Sequence, residues 1–252
     1  MGGDARAAGQ LSSRPLGRSA AMSTKMQPGA VVTLSVDDHR GGEKAGSHPA
    51  VVIRDFGQTV LVVPITDAQK GRLPTHYLIP SYASGTQDKD ALVTCEHARS
   101  AALSRLADRP GASPLSPTEL EAVMYALRLA LDLETVPTPP PAAPELSRGK
   151  FVSVDFGRGP LPEIRGRQWA LVVSNDTGNY YGRHFLVAPV AEGNGVNGVR
   201  LESCPPKGRP GVLDVGLLRV VDQVRIDDPR ATVAALPIDV ALIDSTLWNL
   251  LS

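Results

Sequence analysis

The sequence contains the same five blocks twice, in the same order. The first copy reads "PGAVVTLSVDD", "GEKAGSHPAVVIRD", "VLVVPIT", "ALVTCEHARS" and "SPTELEAVMYALRLALDL". The second reads "RGKFVSVDFG", "PEIRGRQWALVVSND", "FLVAPVA", "LLRVVDQVRI" and "LPIDVALIDSTLWNLL". A repeat of this length indicates two copies of one structural unit, so the 252 residues are predicted to form two small domains.

A proline-rich segment, "ETVPTPPPAAPELS", separates the two copies. Proline cannot continue a helix and favours an extended spacer, so this segment is the predicted domain boundary. The first residues lack periodicity and predict a disordered leader, the alternatives being a transit peptide or a start at Met22 or Met26. The predicted division is a leader over residues 1–27, a first domain over 28–133, a linker over 134–147 and a second domain over 148–252.

Four blocks of each copy are short and rich in Val, Ile, Leu and Thr, which is typical of buried strands. The fifth block starts like a helix, because Ser116 can cap it, Pro117 suits its first position and Glu119 completes a capping box. Apolar residues then recur at helical spacing, namely Leu120, Val123, Met124, Leu127 and Leu131 in one copy and Val240, Ile243, Leu247 and Leu250 in the other. The predicted fold class is mainly β with α, with two tandem barrel-like sheets that each end in a helix.

Composition narrows the function classes. The 26 basic residues balance the 26 acidic ones, so the overall charge does not demand a polyanionic partner. Cys95 and Cys204 have no metal-ligand spacing, which argues against structural zinc and a disulfide scaffold and favours the reducing cytoplasm. No phosphate-cradling loop, dinucleotide fingerprint, carboxylate cluster or membrane-length apolar run occurs, so we expect no cofactor, no metal and no membrane partner.

These blocks together resemble the MazF/PemK toxins of bacterial toxin-antitoxin systems. The resemblance rests on the opening Gly29 and Gly149, on a glutamate in the following Gly-rich loop, and on "PAVVIRD" and "WALVVSND" as the second strand. It continues through "VVPIT" and "VAPVA", and then through "EHAR" and "DQVR". Each motif is weak alone, but the shared order, met twice, makes the resemblance specific.

The resemblance implies an SH3-like barrel with an added helix that usually forms a homodimer. It also implies a metal-independent endoribonuclease that cleaves single-stranded RNA and is bound by an antitoxin protein. A related fold poisons DNA gyrase instead. A tandem chain would then be a dimer fused into one molecule, with the two halves paired within one chain or exchanged between two chains.

The residues that carry catalysis in this family are mainly an arginine before proline and the Thr or Ser that ends the "PiT" strand. In the first copy Thr66 is present, but His48 replaces the arginine and His97 replaces a glutamine. Imidazole suits proton transfer, so we expect His48, His97, Thr66 and Arg99 to form the catalytic group of the first domain. The alternative is that both histidines belong to a decayed site.

The second copy has Gln168 and Ala191 at the two positions, which predicts an inactive site. Arg167 lies one residue before the expected arginine, and neighbouring strand residues point to opposite faces, so we expect it only to contact RNA.

The predicted RNA-binding residues are Glu43, Arg165, Arg167, Tyr180, Tyr181 and Arg225. Glu43 and Glu163 lie in Gly-rich loops expected to meet RNA or antitoxin, the alternative being solvated charges. For Arg99 and Arg225 the alternative is a salt bridge, and for the two tyrosines it is packing in a turn. The prediction is a toxin that cleaves RNA at one site, in the first domain. The alternative is a silent protein of the same fold that binds RNA, an antitoxin-like peptide or gyrase.

Overall fold

The computed structural model describes residues 25–69, 72–80, 89–191, 197–205 and 209–252. The first half contains strands β1 (Val31–Val36), β2 (Gly46–Asp55), β3 (Thr59–Asp67), β4 (His76–Ile79), β5 (Ala91–Thr94), β6 (Arg99–Ala102) and β7 (Leu106–Asp108), and helix α1 (Pro117–Ala130). The second half contains β8 (Lys150–Asp155), β9 (Arg167–Val172), helix α2 (Asp176–Tyr181), β10 (His184–Ala191), β11 (Gly198–Cys204), β12 (Arg209–Asp214), β13 (Arg219–Asp222), β14 (Val233–Ala234) and helix α3 (Pro237–Leu250). Most of the predicted leader lies outside the described residues, and the domain boundaries stay predictions.

Each half is a small antiparallel barrel of the SH3-like type. In the first half the strand order is β7-β1-β2-β3-β6, and β3 also pairs with β5, which pairs with β4. In the second half the order is β14-β8-β9-β10-β13, with β12 joining β10 to β11. The predicted fold class is confirmed: the molecule is mainly β, and one long helix closes each half.

The long helices follow their sequence signals. Ser116 accepts the Glu119 backbone N–H and the Glu119 carboxylate accepts the Ser116 N–H, so the capping box predicted for α1 is present. The apolar stripe of α1 faces the core, with Val123 and Leu127 fully buried. Helix α3 also buries its stripe, but its first cap is Leu236, which offers no side-chain hydrogen bond.

The halves join edge to edge into one 14-stranded sheet. Strand β6 lies antiparallel to β13, with Arg99 directly opposite Arg219. The Ser100 N–H donates to the Leu218 carbonyl at 2.6 Å, and the Val220 N–H donates to the Ala98 carbonyl at 3.1 Å. Arg99 faces its own counterpart, Arg219, and the two hydrogen bonds beside this pair are related by exchange of the halves, which is the contact that a twofold-symmetric dimer makes.

One hydrophobic cluster extends across the seam and includes buried side chains of both halves, such as Leu127 and Leu247. Two smaller clusters lie on the opposite face of the sheet, one in each half. The halves therefore share their main core, although the sequence predicted a separate core for each. Among the described residues, no helix has both the length and the apolar character needed to cross a membrane.

The pairing of "EHAR" with "DQVR" across the two copies was wrong. Arg99 lies opposite Val62 of β3, and Arg219 lies opposite the matching Val187 of β10, so Arg99 corresponds to Arg219. Arg225 ends a 3-10 turn, Gln223–Arg225, and corresponds to Arg105 at the end of the turn Leu103–Arg105. The error arose because both copies carry two arginines six residues apart, and motif matching selected a different one in each.

Tyr180 and Tyr181 were predicted in a loop but belong to the short helix α2. The helix forms because the Asn175 side chain accepts the Gly178 N–H as an N-cap.

Candidate active site

The first half contains a small cavity of about 10 Å³ at the seam, which is roughly the space of one water molecule. The residues that line it are Leu34, Val36, Glu43, Lys44, His48, Pro64, His97, Arg99 and Val220. Three of the four predicted catalytic residues therefore meet at one cavity. Val220 belongs to the second half, so both halves form its wall.

Thr66 is placed on the cavity side by strand geometry. Pro64 lines the cavity, and a side chain two residues further along a strand points to the same face. Ala50 of β2 lies opposite Pro64, where the pairing of β2 with β3 ends, and Thr66 pairs with Leu92 of β5. Thr66 is half-buried and is not among the residues that line the cavity.

His48 is fixed by β2 and by its own loop. It lies opposite Leu34 of β1, and its Nε2 is 2.5 Å from the carbonyl oxygen of Ala45. Because a carbonyl oxygen only accepts, Nε2 carries the proton and Nδ1 is the nitrogen that can accept one in the neutral ring. His48 can therefore act as a base through Nδ1.

His97 ends the 3-10 turn Cys95–His97, and its side chain is largely shielded from water. Burial and the charges of Lys44 and His184 together outweigh the opposing effect of the Glu96 carboxylate and lower the pKa of the His97 imidazole to about 4. Its Nδ1 is buried without a hydrogen-bond partner among the described residues. His97 is therefore neutral near pH 7 and able to accept a proton.

Glu96, the residue before His97, is in contact with Thr75 and His76. Its carboxylate is 2.7 Å from His76 Nε2 and accepts the Thr75 hydroxyl at 3.1 Å. Burial raises the pKa of Glu96, but the hydrogen bond and charge of His76 outweigh that effect and leave the pKa lowered. A negative charge is thus held 4.0 Å from His97 Nε2.

Arg99 provides the cation of the site. Its residue is 4% exposed, and neither Nε nor Nη2 makes a hydrogen bond to the described residues. Burial, and then the neighbouring charge of Arg219, lower its pKa to about 10, so the guanidinium stays charged at neutral pH. Its nearest carboxylate oxygen, Glu163 Oε2, is 3.8 Å from Nη2, which leaves donors available to an anion.

The two predicted loop glutamates do not face solvent. The Glu43 carboxylate accepts Arg225 Nη2 at 2.9 Å and the Asp222 N–H at 3.0 Å. Glu163 makes the matching contacts in the other direction, accepting Arg105 Nε at 2.7 Å and the Ala102 N–H at 2.9 Å. Glu43 and Arg225 bury their charges against each other across the seam, and contact of these two residues with RNA stays a prediction.

The second half carries different residues at three of the corresponding positions. By strand register Gln168 stands at the position of His48, and Ala191 at that of Thr66. Leu217 ends the 3-10 turn that corresponds to the His97 turn. Arg219, the counterpart of Arg99, and Glu163, the counterpart of Glu43, have matching charges.

The other predicted RNA-contacting residues are exposed, but they lie in two places. Arg165 and Arg167 are at the start of β9, where Arg167 forms a 3.0 Å ion pair with Asp227. Tyr180 and Tyr181 are beyond the other end of β9, and Tyr181 is 68% exposed. The tyrosine rings contact each other edge to face at 4.9 Å. Tyr181 precedes His184 by three residues in the chain.

Sequence reasoning missed Lys44, Arg105, Arg219 and His184. Arg105 and Arg219 could have been found by aligning the two copies at a constant offset through the arginine pairs. Lys44 and His184 carried no such signal, since only the packing of one half on the other brings them to the site.

The geometry defines a class of protein in which two SH3-like barrels are fused into one chain with approximate twofold symmetry. In this chain His48, His97 and Arg99 line a cavity in one of the two barrels. The family model described as "PemK-like, MazF-like toxin of type II toxin-antitoxin system" matches residues 27–131 and again residues 147–247. The chain belongs to this toxin family and carries two copies of its domain.

Solved structures similar to this chain include the following three. Mycobacterium tuberculosis toxin MazF-mt6 is 18% identical, with 43% of this chain and 100% of that chain covered and a TM-score of 0.34. MazF (Form-I) from Deinococcus radiodurans is 21% identical, with 41% and 94% covered and a TM-score of 0.35. An endoribonuclease in complex with its cognate antitoxin from a mycobacterial species is 17% identical, with 42% and 91% covered and a TM-score of 0.33. No curated protein matches the chain.

Proposed function

We propose that this toxin-family chain cleaves single-stranded RNA without a metal ion, at one site in its first half. The observation that carries the proposal is that His48, His97 and Arg99 line one cavity, while the matching positions of the second half hold Gln168 and Leu217 beside a single arginine. Such a toxin would act in the cytoplasm, where its RNA is, and a cognate antitoxin would be its protein partner.

Metal-free cleavage of RNA needs three kinds of group. A base takes the proton of the ribose 2′-hydroxyl, an acid gives a proton to the departing 5′-oxygen, and a cation stabilises the charge that gathers on the phosphate. His48 or His97 provides the base, and a second histidine of the site, in its protonated form, provides the acid that gives a proton to the 5′-oxygen. Arg99 is the cation, and the Thr66 hydroxyl donates a hydrogen bond to a phosphate oxygen. The 2′-oxygen bonds to phosphorus as the 5′-oxygen leaves, which gives a 2′,3′-cyclic phosphate and a 5′-hydroxyl.

RNA can reach these groups only when the covering loop moves. The cavity has space for about one water molecule. The loop between β1 and β2 forms part of its wall through Glu43 and Lys44. Glu43 anchors this loop to Arg225, so opening it breaks a buried ion pair. Binding of RNA must therefore compensate for the loss of that contact.

The test is incubation of the purified chain with a long unstructured RNA in EDTA, with mapping of the cut ends. We expect 2′,3′-cyclic phosphate ends, and a loss of cleavage of about 100-fold or more in Thr66→Ala and in the double variant His48→Ala, His97→Ala. Gln168→Ala, at the matching position of the second half, is the control and should cleave like the unaltered chain. Intact RNA, or full cleavage by the double variant, would contradict the proposal.

A second function is favoured by the closed state of the site. The small cavity and the buried Glu43–Arg225 pair suit a chain that binds RNA, an antitoxin-like peptide or gyrase without cutting anything. Tight binding of RNA that stays intact over a wide range of protein concentration would support this function over cleavage.

A further inference from the structure

The second half places a histidine against the first-half site. The ring of His184, at the start of β10, lies 4.9 Å from the ring of His97, with an angle of 57° between the planes. Its side chain is 23% exposed, and its Nε2 is buried without a hydrogen bond to the described residues. His184 is thus the second imidazole within reach of whatever contacts His97.

Asp222 holds one side of this imidazole. The carboxylate oxygen Oδ2 is 3.6 Å from His184 Nε2, and the carboxylate accepts the Gly42 N–H at 2.7 Å and the Val224 N–H at 3.0 Å. Burial raises the pKa of Asp222, yet these backbone donors and the charges of His184 and Arg183 leave it lowered. A carboxylate next to one ring nitrogen favours a proton there and directs the other nitrogen, Nδ1, to outside chemistry.

The first-half loop is shaped to fit this pair. A side chain added at Gly42 would place its Cβ 2.9 Å from His184 Cε1 and Nε2, and one at Gly41 would place it 2.4 Å from Asp222 Cγ. Gly41 also has φ +57°, a backbone conformation that glycine adopts without strain. The glycine pair therefore lets the loop that carries Lys44 pack directly on the histidine and aspartate of the other half.

The second half supplies a histidine–aspartate pair to the first-half site, and the corresponding positions of the first half do not hold such a pair. His184 pairs with Asp222 across β10 and β13, and the corresponding pair across β3 and β6 is Thr59 with Ala102. The first half thus has neither an imidazole nor a carboxylate to offer the second-half site. The half that carries Thr66, His48 and His97 receives the pair, and the half that carries Ala191, Gln168 and Leu217 supplies it.

We propose that His184, held by Asp222, is a proton-transfer residue of the first-half site, so that one active site is assembled from both halves. This inference rests on the proposed RNA cleavage. The base of the site, His48 or His97, takes the proton of the 2′-hydroxyl as the 2′-oxygen bonds to phosphorus. Protonated His184 gives its Nδ1 proton to the 5′-oxygen as the phosphorus–oxygen bond breaks, and Asp222 balances the imidazolium charge. Arg99 stabilises the phosphate oxygens throughout.

The test compares RNA cleavage by the unaltered full chain, His184→Ala, His184→Gln and the control His39→Ala. His39 is an exposed histidine of the same loop region. We expect a fall in the rate of about 100-fold or more in both His184 variants, and no change in the control. We also expect added imidazole to restore part of the rate of His184→Ala, where a ring has been removed, but none of the rate of Thr66→Ala.

Each outcome has a definite meaning. Restoration by imidazole supports proton transfer, since a purely structural loss would not be repaired by a free ring. Cleavage at the unaltered rate by His184→Gln, or a loss in His184→Ala that imidazole does not relieve while thermal melting shows a folded chain, overturns this inference alone. Intact RNA with the unaltered chain overturns both the cleavage and this inference.

Discussion

His97 occupies a dry position that its counterpart in the second half fills with leucine. Burial lowers the pKa of His97 from 6.5 to about 4, so the folded chain resists its protonation while the unfolded chain does not. The folded state therefore has no penalty above the unfolded pKa and loses stability as the pH falls from 6.5 toward 4.

The resulting prediction concerns His97→Leu, which copies Leu217. Between pH 7 and pH 5 the unaltered chain should lose about 2 kcal/mol of unfolding free energy through this residue, and the variant should not. Urea unfolding at the two pH values measures the difference. His39→Leu removes an exposed histidine and serves as the control. An equal loss in the His97 variant and the control would show that the imidazole is not held neutral.

The residues that sequence reasoning could find are those that replace a family residue at a motif position. His48 and Thr66 stand at motif positions, so they could be predicted before the structure was known. His97 was found only through the incorrect pairing of "EHAR" with "DQVR", since its counterpart is Leu217. His184 and Lys44 stand in no motif, and their role follows from packing between halves. Glu43 was in the expected loop, but its burial depends on Arg225, about 180 residues away along the chain.

At the scale of elements, the two long helices differ in their caps. Helix α1 has a complete capping box at Ser116. The N-cap residue of α3 is Leu236, which is 43% exposed and whose side chain offers no hydrogen bond. We predict that Ser116→Ala lowers the unfolding free energy by about 1 kcal/mol and that Leu236→Ser raises it by about 0.5 kcal/mol or more. The gain at Leu236 is the smaller because some buried apolar surface is lost.

Denaturant unfolding of the two variants beside the unaltered chain checks this prediction. Thr246→Ala, in the exposed part of α3, is the control for a change in α3 that touches no cap. A fall in stability with Leu236→Ser would mean that packing of the leucine outweighs the missing cap.

The strands and the long helices could be predicted from local pattern, since β-branched runs and capping signals are short-range features. Helix α2 could not, because "NDTGNYYG" is rich in Gly, Asn and Asp, which favour turns, and the helix depends on the Asn175 side chain that caps its first turn. The strand from Ala91 was also expected to run through His97, but it ends at Thr94 and turns into a 3-10 segment.

At the scale of the whole molecule, the seam contains four buried arginines and two buried glutamates. Glu163 accepts hydrogen bonds from Arg105 and the Ala102 N–H, and it is also the nearest carboxylate to Arg99. Removing one partner of a buried pair leaves an uncompensated charge, so we predict that Glu163→Gln lowers the unfolding free energy by about 3 kcal/mol or more.

Glu121→Gln is the matched control, because that carboxylate pairs with Arg128 at the surface, where such a pair contributes about 0.5 kcal/mol. Thermal and urea unfolding compare the two variants. Equal effects would mean that water reaches the seam and screens Glu163. A further change of Arg99→Met in the Glu163→Gln background should recover part of the loss, since it removes one of the uncompensated cations.

The two halves are connected both by the linker and by the seam. One hydrophobic cluster contains buried residues of both, and strand β6 hydrogen-bonds to β13, so we expect the two domains to unfold as one cooperative structure. A protease site placed among the prolines of the linker should therefore be cut without separating them. We expect the cut chain to elute as one species in gel filtration, and to melt in a single transition. The uncut chain with the same insertion is the control. Two separate species at low micromolar concentration would show that the linker, rather than the shared core, holds the molecule together.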